Sequence, residues 1–274
     1  MFSIAHLNAL RTAEIERAVA WFRPGARILE VGAGTGQQAS ELARRGFAVE
    51  AIELSDSVYA GDRIFPITDY DGRHIPFPDR SFDLVFSSTV IEHVPDLTQL
   101  HREIRRVLRP GGRAVHVMPT HAWRLWTTVS AFPLGLQEAA ALRAQLLPRG
   151  WLDRVEARRL LVAWARACRR LGGAFFQRRH GERGNIVSET WLFRPEWWRR
   201  NFRENGFEIL RDAPMGLFYT GNMVFGERWS LARRARLART LGSATHLFEL
   251  RAAGDSAPAE IALASAPHER GEKP

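Results

Sequence analysis

The first 120 residues alternate between short, nearly continuous apolar runs and amphipathic stretches. Apolar residues at every third or fourth position over residues 8–22 predict a helix. Apolar runs that end in Gly- or Pro-containing turns predict buried strands, and strands that alternate with helices indicate a parallel sheet covered on both faces. In chain order the pattern then predicts the strand ILEV, the helix QQASELARRG, the strand FAVEAIELS, the strand FDLVFSSTVIEHV, the helix LTQLHREIRRVLRPGG and the strand RAVHVMPT.

The pattern changes after Pro119. Residues 121–180 are rich in arginine and helical in their periodicity, with no strand pattern. The alternation resumes with a helix in RPEWWRRNFRENG and a strand from Phe207, and it closes with the strand ATHLFELRA. The chain therefore predicts an α/β core into which a helical segment is inserted.

Composition and charge limit the classes of protein to which this chain can belong. The 274 residues are 45% hydrophobic and 25% charged, which is typical of a globular protein, and the single cysteine, Cys168, excludes an intrachain disulfide framework and a cysteine-based metal cluster. Residues 1–120 hold 14 arginines against 15 acidic residues, whereas residues 121–274 hold 25 basic against 15 acidic residues. An excess of basic residues in the second half suggests binding to nucleic acid or to an anionic membrane. However, Lys273 is the only lysine, and such an arginine bias is typical of a GC-rich coding sequence.

Nothing in the sequence predicts a signal peptide or a membrane span. Glu14 and Glu16 stand where a signal peptide would need its apolar run. The longest uncharged helical stretch, Leu125 to Gln137, is interrupted by Pro133 and is too short to cross a bilayer. We therefore expect a cytoplasmic protein.

The stretch ILEVGAGTGQQ carries the first candidate chemistry. Gly32, Gly34 and Gly36 would let the backbone turn sharply after a strand and approach a ligand closely. Glu53 ends the next strand, where a carboxylate can accept hydrogen bonds from both hydroxyls of a ribose. Together they indicate a nucleoside-containing cofactor, although a dinucleotide fingerprint, with Ala39 at its last position, and a tight turn without a ligand remain alternatives.

The motifs that follow separate these alternatives. The E-x-G-x-G-x-G arrangement in ILEVGAGTG is followed by VEAIELS, by DYDGRHIPFPDRSFDLVFSSTVIEHVPD and by HREIRRVLRPGGRAVHV. This ordered set resembles the motifs of the class I S-adenosylmethionine-dependent methyltransferases of the small-molecule "methyltransferase domain 11" type, densely over residues 28–118 and loosely over 191–252. The resemblance implies S-adenosylmethionine as cofactor and a Rossmann-like, doubly wound, mostly parallel seven-stranded sheet with a helical cap insertion.

The resemblance also assigns cofactor-binding residues. Glu30 would position the glycine loop and Glu53 would bind the ribose hydroxyls. Asp71 would lie at the adenine, with Asp69 as its competitor. The full implied set is Glu30, Gly32, Ala33, Gly34, Gly36, Glu53, Leu54, Asp71, Gly72, Ser87 and Ser88.

Candidate catalytic residues are those that could align a nucleophile and remove its proton. Glu92 and His93 follow the fourth strand, and His121 follows the fifth; His93 also has a purely structural interpretation. His180 is a candidate acceptor-binding residue in a loop. We expect no metal, because no ligand cluster has convincing spacing. Among the other histidines, the pattern predicts that His116 lies in the core and that His101 is solvated.

The resemblance divides the chain between cofactor and acceptor. Leu161 and Trp164 lie on one face of the insertion's helix and are expected to pack on the core, with a solvated face of arginines such as Arg158 and Arg166 opposite. Alternatively, the helix forms a surface for an anionic lipid or a phosphate-bearing acceptor. Tyr219, Thr220 and Asn222 would be the polar members of a flap. The predicted units are a cofactor-binding core over 1–119, a helical acceptor-side insertion over 120–190, completion of the sheet over 191–252 with a flap and helix insertion at 214–241, and a disordered tail over 253–274.

These features favour a methyltransferase that modifies a small molecule or glycan on oxygen. The second half is similar to methyltransferases of bacterial surface polysaccharide assembly, so a lipid-linked or nucleotide-linked acceptor and peripheral contact with the inner membrane face fit its arginines and tryptophans. An RNA methyltransferase is the main alternative, although SSTV stands where an amino-methylating enzyme would carry N-P-P-[YF], and we expect no nucleic-acid substrate. A binding protein without activity and a nicotinamide-dependent oxidoreductase are further alternatives.

Overall fold

A seven-stranded sheet forms the centre of the computed structural model, which describes residues 4–146, 154–175, 179–223 and 225–255. The strands are β1 (Arg27–Val31), β2 (Ala48–Leu54), β3 (Thr68–Tyr70), β4 (Phe82–Ser88), β5 (Leu108–Pro119), β6 (Phe207–Pro214) and β7 (Thr245–Ala252). The helices are α1 (Ile4–Val19), α2 (Gln37–Arg44), α3 (Leu97–Val107), α4 (His121–Leu146), α5 (Arg154–Phe175), α6 (Ile186–Leu192), α7 (Pro195–Glu204) and α8 (Leu231–Leu241).

The order of the strands is β3-β2-β1-β4-β5-β7-β6. β1 to β5 pair in parallel, and β7 pairs antiparallel with both β5 and β6. The chain order reverses between β1 and β4, and ligands of open α/β sheets bind beyond the carboxyl ends of the strands at such a switch point. The predicted doubly wound, mostly parallel seven-stranded sheet is therefore confirmed.

Each face of the sheet has its own apolar core. On one face, Leu29 of β1 packs with Ile104 of α3 and Phe202 of α7. On the other, Ile28 packs with Ile15 of α1 and Leu42 of α2. Successive residues of β1 thus enter opposite cores, which is why this strand has to be a continuous apolar run. A fully buried side chain of this size contributes roughly 1.5–3 kcal/mol to stability.

Two strands differ from the sequence prediction. β3 was not predicted, because it is only three residues long and holds threonine, aspartate and tyrosine rather than an apolar run. β5 begins at Leu108, directly after α3, so that the predicted turn at RPGG lies inside the strand. The pairing of β4 with β5 shifts register between Phe82 and Leu84, which accommodates that Gly-containing start.

The helical segment after β5 consists of α4, α5 and α6, with α4 packed against both others. The predicted buried face of α5 is wrong in part, because Leu161 and Trp164 are 67% and 56% exposed. An exposed apolar stripe also runs along α4 at helical spacing. It consists of Leu125, Val129, Phe132 and Leu136.

The segment that follows β6 is packed between α1 and α4. Leu217, Tyr219 and Met223 are buried in a cluster with Leu10 of α1 and Trp123 of α4. The side-chain amide of Asn222 donates hydrogen bonds to Thr127 and Ser130 of α4. Gly221 allows this close approach, since a Cβ there would lie 3.0 Å from both Thr127 and Trp123. The predicted flap is thus a buried connection in this structure.

The tail from residue 256 lies outside the described residues, so its predicted disorder stays a prediction. Within the described ranges, no helix has the length and apolar character that crossing a membrane requires.

Candidate functional site

The glycine-rich loop leaves β1 at the switch point of the sheet. The amides of Gly32 and Ala33 donate to the carbonyl of Ile52 in β2, at 2.9 and 3.1 Å. Gly34 and Gly36 both have positive φ, which side-chain-bearing residues adopt only at a cost. A Cβ at Gly36 would lie 2.6 Å from the Cβ of Phe65, whereas one at Gly34 would meet only the Tyr59 ring at 3.6 Å. The loop is thus closely packed underneath and open at Gly34.

Glu53 lies directly beside this loop. Its Oε2 accepts a hydrogen bond from the amide of Gly34 at 2.6 Å, and its Oε1 accepts one from the amide of Leu54 at 2.9 Å. The structure therefore brings together the two features that the sequence placed 17 residues apart along the chain, the glycine loop and the carboxylate that ends β2.

Glu30 is buried beneath the loop. Its carboxylate accepts a hydrogen bond from the backbone of Ala39 in the first turn of α2, and its Oε2 has no hydrogen-bond partner among the described residues. Burial raises the pKa of Glu30 to about 8, which the hydrogen bond from Ala39 opposes and the charge of Glu53 reinforces. A link from β1 to α2 fits the predicted role of positioning the loop.

The predicted adenine residues meet at the ends of β2 and β3. A Cβ at Gly72 would lie 3.0 Å from Leu54, so these two residues are in contact. Asp71 is exposed and accepts hydrogen bonds from the side chain and backbone of His74 and from the backbone of Arg73, which hold its pKa well below the usual range. The competing Asp69 is instead paired with Arg63 at 2.6 Å.

The end of β4 is held by an arginine from α1. Arg11 donates hydrogen bonds to the hydroxyl oxygens of Ser88 at 3.3 Å and Thr89 at 2.7 Å. Thr89 has a φ of +53°, an unusual conformation for a β-branched residue and typical of strained positions near functional sites. Ser87 is oriented differently, because its hydroxyl is hydrogen-bonded to Nδ1 of the buried His116 at 2.8 Å.

Beyond Thr89, a short 3-10 turn over Ile91–His93 presents Glu92 and His93. The Glu92 carboxylate is buried, and neither of its oxygens has a hydrogen-bond partner in the described parts of the chain. Nε2 of His93 and Nε2 of His180 approach Glu92 Oε1 at 3.8 and 3.7 Å. The two imidazole rings are 4.7 Å apart, and burial lowers the pKa of His93. The structure thus assembles a buried carboxylate with two histidines from distant parts of the chain.

His180 is fixed from several sides. The amides of His180 and Gly181 donate to Glu189 Oε1 at 2.5 and 2.7 Å, and Glu189 is paired with Arg124 of α4 at 3.1 Å. The indole of Trp123 lies 4.5 Å from the imidazole. Gly181 permits the approach to the cluster, because a Cβ there would lie 2.8 Å from the carbonyl oxygen of Glu92.

The remaining histidines are placed elsewhere. His121 lies on the surface at the start of α4; partial desolvation there and the positive charge of Arg194 lower its pKa, and the charge of Glu196 opposes the shift. His116 is buried, as expected. The prediction that His101 is solvated is wrong: it is buried against Phe202 of α7, and burial lowers its pKa to about 4. The sequence could not show that α7 covers this face of α3.

A polar network on α1 was not predicted from the sequence. Glu14 is buried and accepts hydrogen bonds from Arg11 at 3.0 Å, from the Tyr219 hydroxyl at 2.7 Å and from the Thr245 hydroxyl at 2.5 Å. The available signal was an arginine and a glutamate three residues apart, next to the apolar Leu10 and Ile15, on a predicted helix.

Comparison with known proteins adds to this geometry. Residues 29–116, which include the glycine loop, Glu53 and the Glu92–His93 turn, match the family model described as a methyltransferase domain. The matched region of the chain is thus similar to a methyltransferase domain. The expected family is therefore confirmed for this part of the chain.

The curated relatives match about a third to two fifths of this chain. An uncharacterized methyltransferase of Mycobacterium sp. (strain JLS) is 38% identical over 122 residues, which are 41% of this chain and 47% of that protein. The 27-O-demethylrifamycin SV methyltransferase of Amycolatopsis mediterranei is 35% identical, covering 33% of this chain and 38% of its own. The demethylmenaquinone methyltransferase of Corynebacterium efficiens is 37% identical, covering 33% and 40%. The chain spans about half the length, or less, of the curated relatives it matches.

The solved structures extend the likeness in fold. A chain in the complex between the Haloferax volcanii Trm112 methyltransferase activator and a methyltransferase superposes with a TM-score of 0.50 and 14% identity, covering 91% of each chain. The residues of the methyltransferase domain fit S-adenosylmethionine, because the loop is open at Gly34 and the Glu53 carboxylate borders it. S-adenosylmethionine, the cofactor that the resemblance implied, is therefore the cofactor of the matched region.

Proposed function

We propose that the protein transfers a methyl group from S-adenosylmethionine to an oxygen of a small-molecule or glycan acceptor. The single observation that carries this proposal is the 2.6 Å contact between the Gly34 amide and Glu53, at the switch point where the same sheet also presents Glu92 and His93. Cofactor ligands and candidate proton acceptors thus occur together at the carboxyl ends of β1, β2 and β4.

On the cofactor side, Glu53 would bind the ribose hydroxyls and the loop at Gly32, Ala33, Gly34 and Gly36 would face the methionine moiety. The contact between Leu54 and Gly72 supports an apolar surface for the adenine, with Asp71 at its edge. Glu30 would act through the loop, because its carboxylate is tied to α2. Ser88 would line the floor together with Arg11, and Ser87 would support it from below through His116.

On the chemical side, bound S-adenosylmethionine supplies a methyl group activated by the positive charge on sulfur. The chain has to align the acceptor and accept its proton. Glu92 and His93 are the candidates, since both belong to the turn that follows β4. His121 is a third candidate at the entrance to the helical segment, although the charges that act on it, Arg194 and Glu196, lie at the start of α7.

The helical segment would bind the acceptor. A small cleft of about 10 Å³, which has room for about one water molecule, lies beside Glu92 and includes the indoles of Trp197 and Trp198 in its lining. The exposed apolar stripe of α4 and the exposed arginines of α5, such as Arg158 and Arg166, would suit an acceptor with an anionic group and a lipid carrier. The relatives that are named for rifamycin and menaquinone substrates support a small-molecule acceptor.

An acceptor panel tests this proposal. We would incubate the protein with S-adenosylmethionine and sugars, nucleotide sugars, lipid-linked sugars or polyketides, and measure acceptor-dependent formation of S-adenosylhomocysteine. We expect turnover with at least one hydroxyl-bearing class and its loss in Glu53→Ala. Turnover only with amine acceptors would contradict transfer to oxygen.

RNA methylation is the second candidate, because residues 121–274 carry the basic excess. Several of those arginines are already paired with carboxylates, including Arg199 with Asp212 and Arg251 with Glu208, which leaves less charge for phosphates. Total RNA in the same assay separates the candidates. Turnover with RNA that falls steeply with salt would favour this second function over the first.

A further inference from the structure

Glu92, His93 and His180 form a cluster whose arrangement exceeds what a proton acceptor needs. Each residue offers one ligand atom, and these three atoms lie within 4.8 Å of one another. We propose that the cluster is a binding site for a divalent transition-metal ion of the Zn²⁺ or Co²⁺ class. Metal binding itself does not depend on the proposed function, whereas a role for the metal in catalysis rests on it.

The unpaired carboxylate is the first argument. The Glu92 side chain is 0% exposed, and in the described parts of the chain neither oxygen receives a hydrogen bond. A buried carboxylate without donors is costly, so such groups are normally paired or coordinate a metal ion. The imidazole nitrogens at 3.7 and 3.8 Å are too far for hydrogen bonds but leave room for a cation between them and the carboxylate.

The geometry is the second argument. With metal–nitrogen and metal–oxygen bonds of about 2.0–2.2 Å, tetrahedral ligand atoms are separated by about 3.4 Å. The observed separations from Glu92 are a few tenths of an ångström larger, and small side-chain rotations of His93 and His180 would close them. Two imidazoles and one carboxylate are a ligand set that suits zinc and other first-row metals, and they leave a coordination position open.

The support around His180 is the third argument. Sites that bind metals hold their histidines in position through outer contacts. Here the turn at His180 is anchored by Glu189, which is paired with Arg124, and the ring packs on Trp123. The amide of Glu182 also donates to the carbonyl oxygen of Glu92 at 2.9 Å. These contacts fix the distance between the loop and the turn after β4.

The open position suggests the metal's role in the proposed reaction. A hydroxyl oxygen of the acceptor would be the remaining ligand, and the ion would lower the pKa of that hydroxyl. With the ion bound, Glu92 and His93 would act as its ligands and not as proton acceptors; the proton would pass to water, and the oxygen would stay bound beside the methyl donor. The metal would therefore select acceptors with a hydroxyl group, which is the class that we propose above.

The experiment is a titration of the untagged, metal-free protein with Co²⁺, followed by its visible absorption, and with Zn²⁺ in a calorimeter. We expect one ion per chain and a raised thermal midpoint. His180→Ala and Glu92→Gln should weaken binding at least about tenfold. The control is His121→Ala, which removes an exposed histidine outside the cluster and should bind the metal as the unchanged protein does.

Other outcomes would overturn the proposal. Equal affinity in the unchanged protein, His180→Ala and Glu92→Gln would mean that bound metal lies elsewhere, and so would a loss that also occurs in His121→Ala. Circular dichroism of each variant separates a lost ligand from a lost fold. S-adenosylhomocysteine binding, measured in parallel, distinguishes the two claims: intact cofactor binding without metal binding removes only this inference, and the reverse result removes only the proposed function.

Discussion

The glycine-loop side of the sheet, at Gly34 and Glu53, and the helical side, at the Glu92 cluster, are assembled from segments that lie at different distances along the chain. The residues predicted to bind the cofactor, around Gly34 and Glu53, come from the ends of the neighbouring strands β1 and β2 and from the loops that follow them. The cluster at Glu92 instead depends on α4, α6 and the loop at His180, which is 88 residues from Glu92. A local arrangement leaves its pattern in the sequence, whereas an arrangement made by distant segments does not.

The largest effect is expected at Glu14, which ties α1 to the segment after β6 and to β7. Because this buried carboxylate accepts bonds from Arg11, Tyr219 and Thr245, Glu14→Ala leaves their donors unpaired. We expect the free energy of unfolding to fall by about 3–5 kcal/mol in denaturant titrations. Tyr219→Phe, which removes one of the hydrogen bonds, should cost about 1 kcal/mol. Equal costs for the two variants would contradict a central role for the carboxylate.

Glu30 gives a pH-dependent test of the loop side. Its pKa is raised to about 8 in the folded protein, so the folded state holds a proton that the unfolded state releases above about pH 4.5. Stability should therefore fall as pH rises from about 5 to 8, by an amount on the order of 3 kcal/mol. Glu30→Gln has no such proton. As pH rises over this interval, Glu30→Gln should gain stability relative to the unchanged protein. A difference in unfolding free energy that does not change with pH would contradict the burial argument.

The glycines of the loop offer a matched pair. Gly36→Ala places a methyl group 2.6 Å from the Cβ of Phe65 at a φ of +81°, so we expect a loss of about 2–3 kcal/mol. Gly34→Ala meets no atom closer than 3.6 Å, and only backbone strain of about 1 kcal/mol should remain. Thermal or urea unfolding of both variants checks the order. Similar losses would mean that packing under Gly36 does not shape the loop.

Glu53 tests the cofactor assignment with a smaller effect. Glu53→Ala removes the carboxylate that would bind two ribose hydroxyls, and we expect the free energy of S-adenosylhomocysteine binding to weaken by about 1–3 kcal/mol in calorimetry. Asp69→Ala is the matched control, because Asp69 is paired with Arg63 and lies opposite Glu53 on β3. An unchanged affinity in Glu53→Ala would show that the ribose ligand is misassigned.

The smallest effect is expected on the helical side. Leu136 is 63% exposed on α4, so Leu136→Ser should change the free energy of unfolding by less than about 0.5 kcal/mol. Leu10→Ser, at a buried position of α1, is the contrasting variant and should destabilise strongly. A large loss from Leu136→Ser would mean that the stripe on α4 is covered in solution. The same variant in a vesicle-binding assay tests the predicted contact with a membrane.

The features predicted correctly from the sequence are those made by neighbouring segments of the chain. The glycine loop, Glu53 and the buried strands are governed by local pattern, and the structure places them as expected. Strand β3 was not predicted, because its three residues, threonine, aspartate and tyrosine, are too few to show an alternation of apolar and polar positions. The burial of His101 depends on α7, about one hundred residues away, and no property of α3 indicates it. Leu161 and Trp164 follow a helical period, yet that period alone cannot show what covers them.

Arg11 and His180 illustrate the remaining limit. Both are ordinary polar residues in sequence, one on a helix and one in a loop. Their significance arises only when α1 brings Arg11 to Thr89 and when the pairing of Arg124 with Glu189 fixes the turn at His180. Candidate residues on the acceptor side therefore have to be read from tertiary contacts.

The most direct test of the central claim is calorimetric binding of S-adenosylhomocysteine and S-adenosylmethionine to the full chain, with NAD as the control. The arrangement of Gly34, Glu53 and Glu30 predicts micromolar binding of both methionine-derived ligands and none of NAD. Binding of NAD in place of S-adenosylhomocysteine would contradict the account.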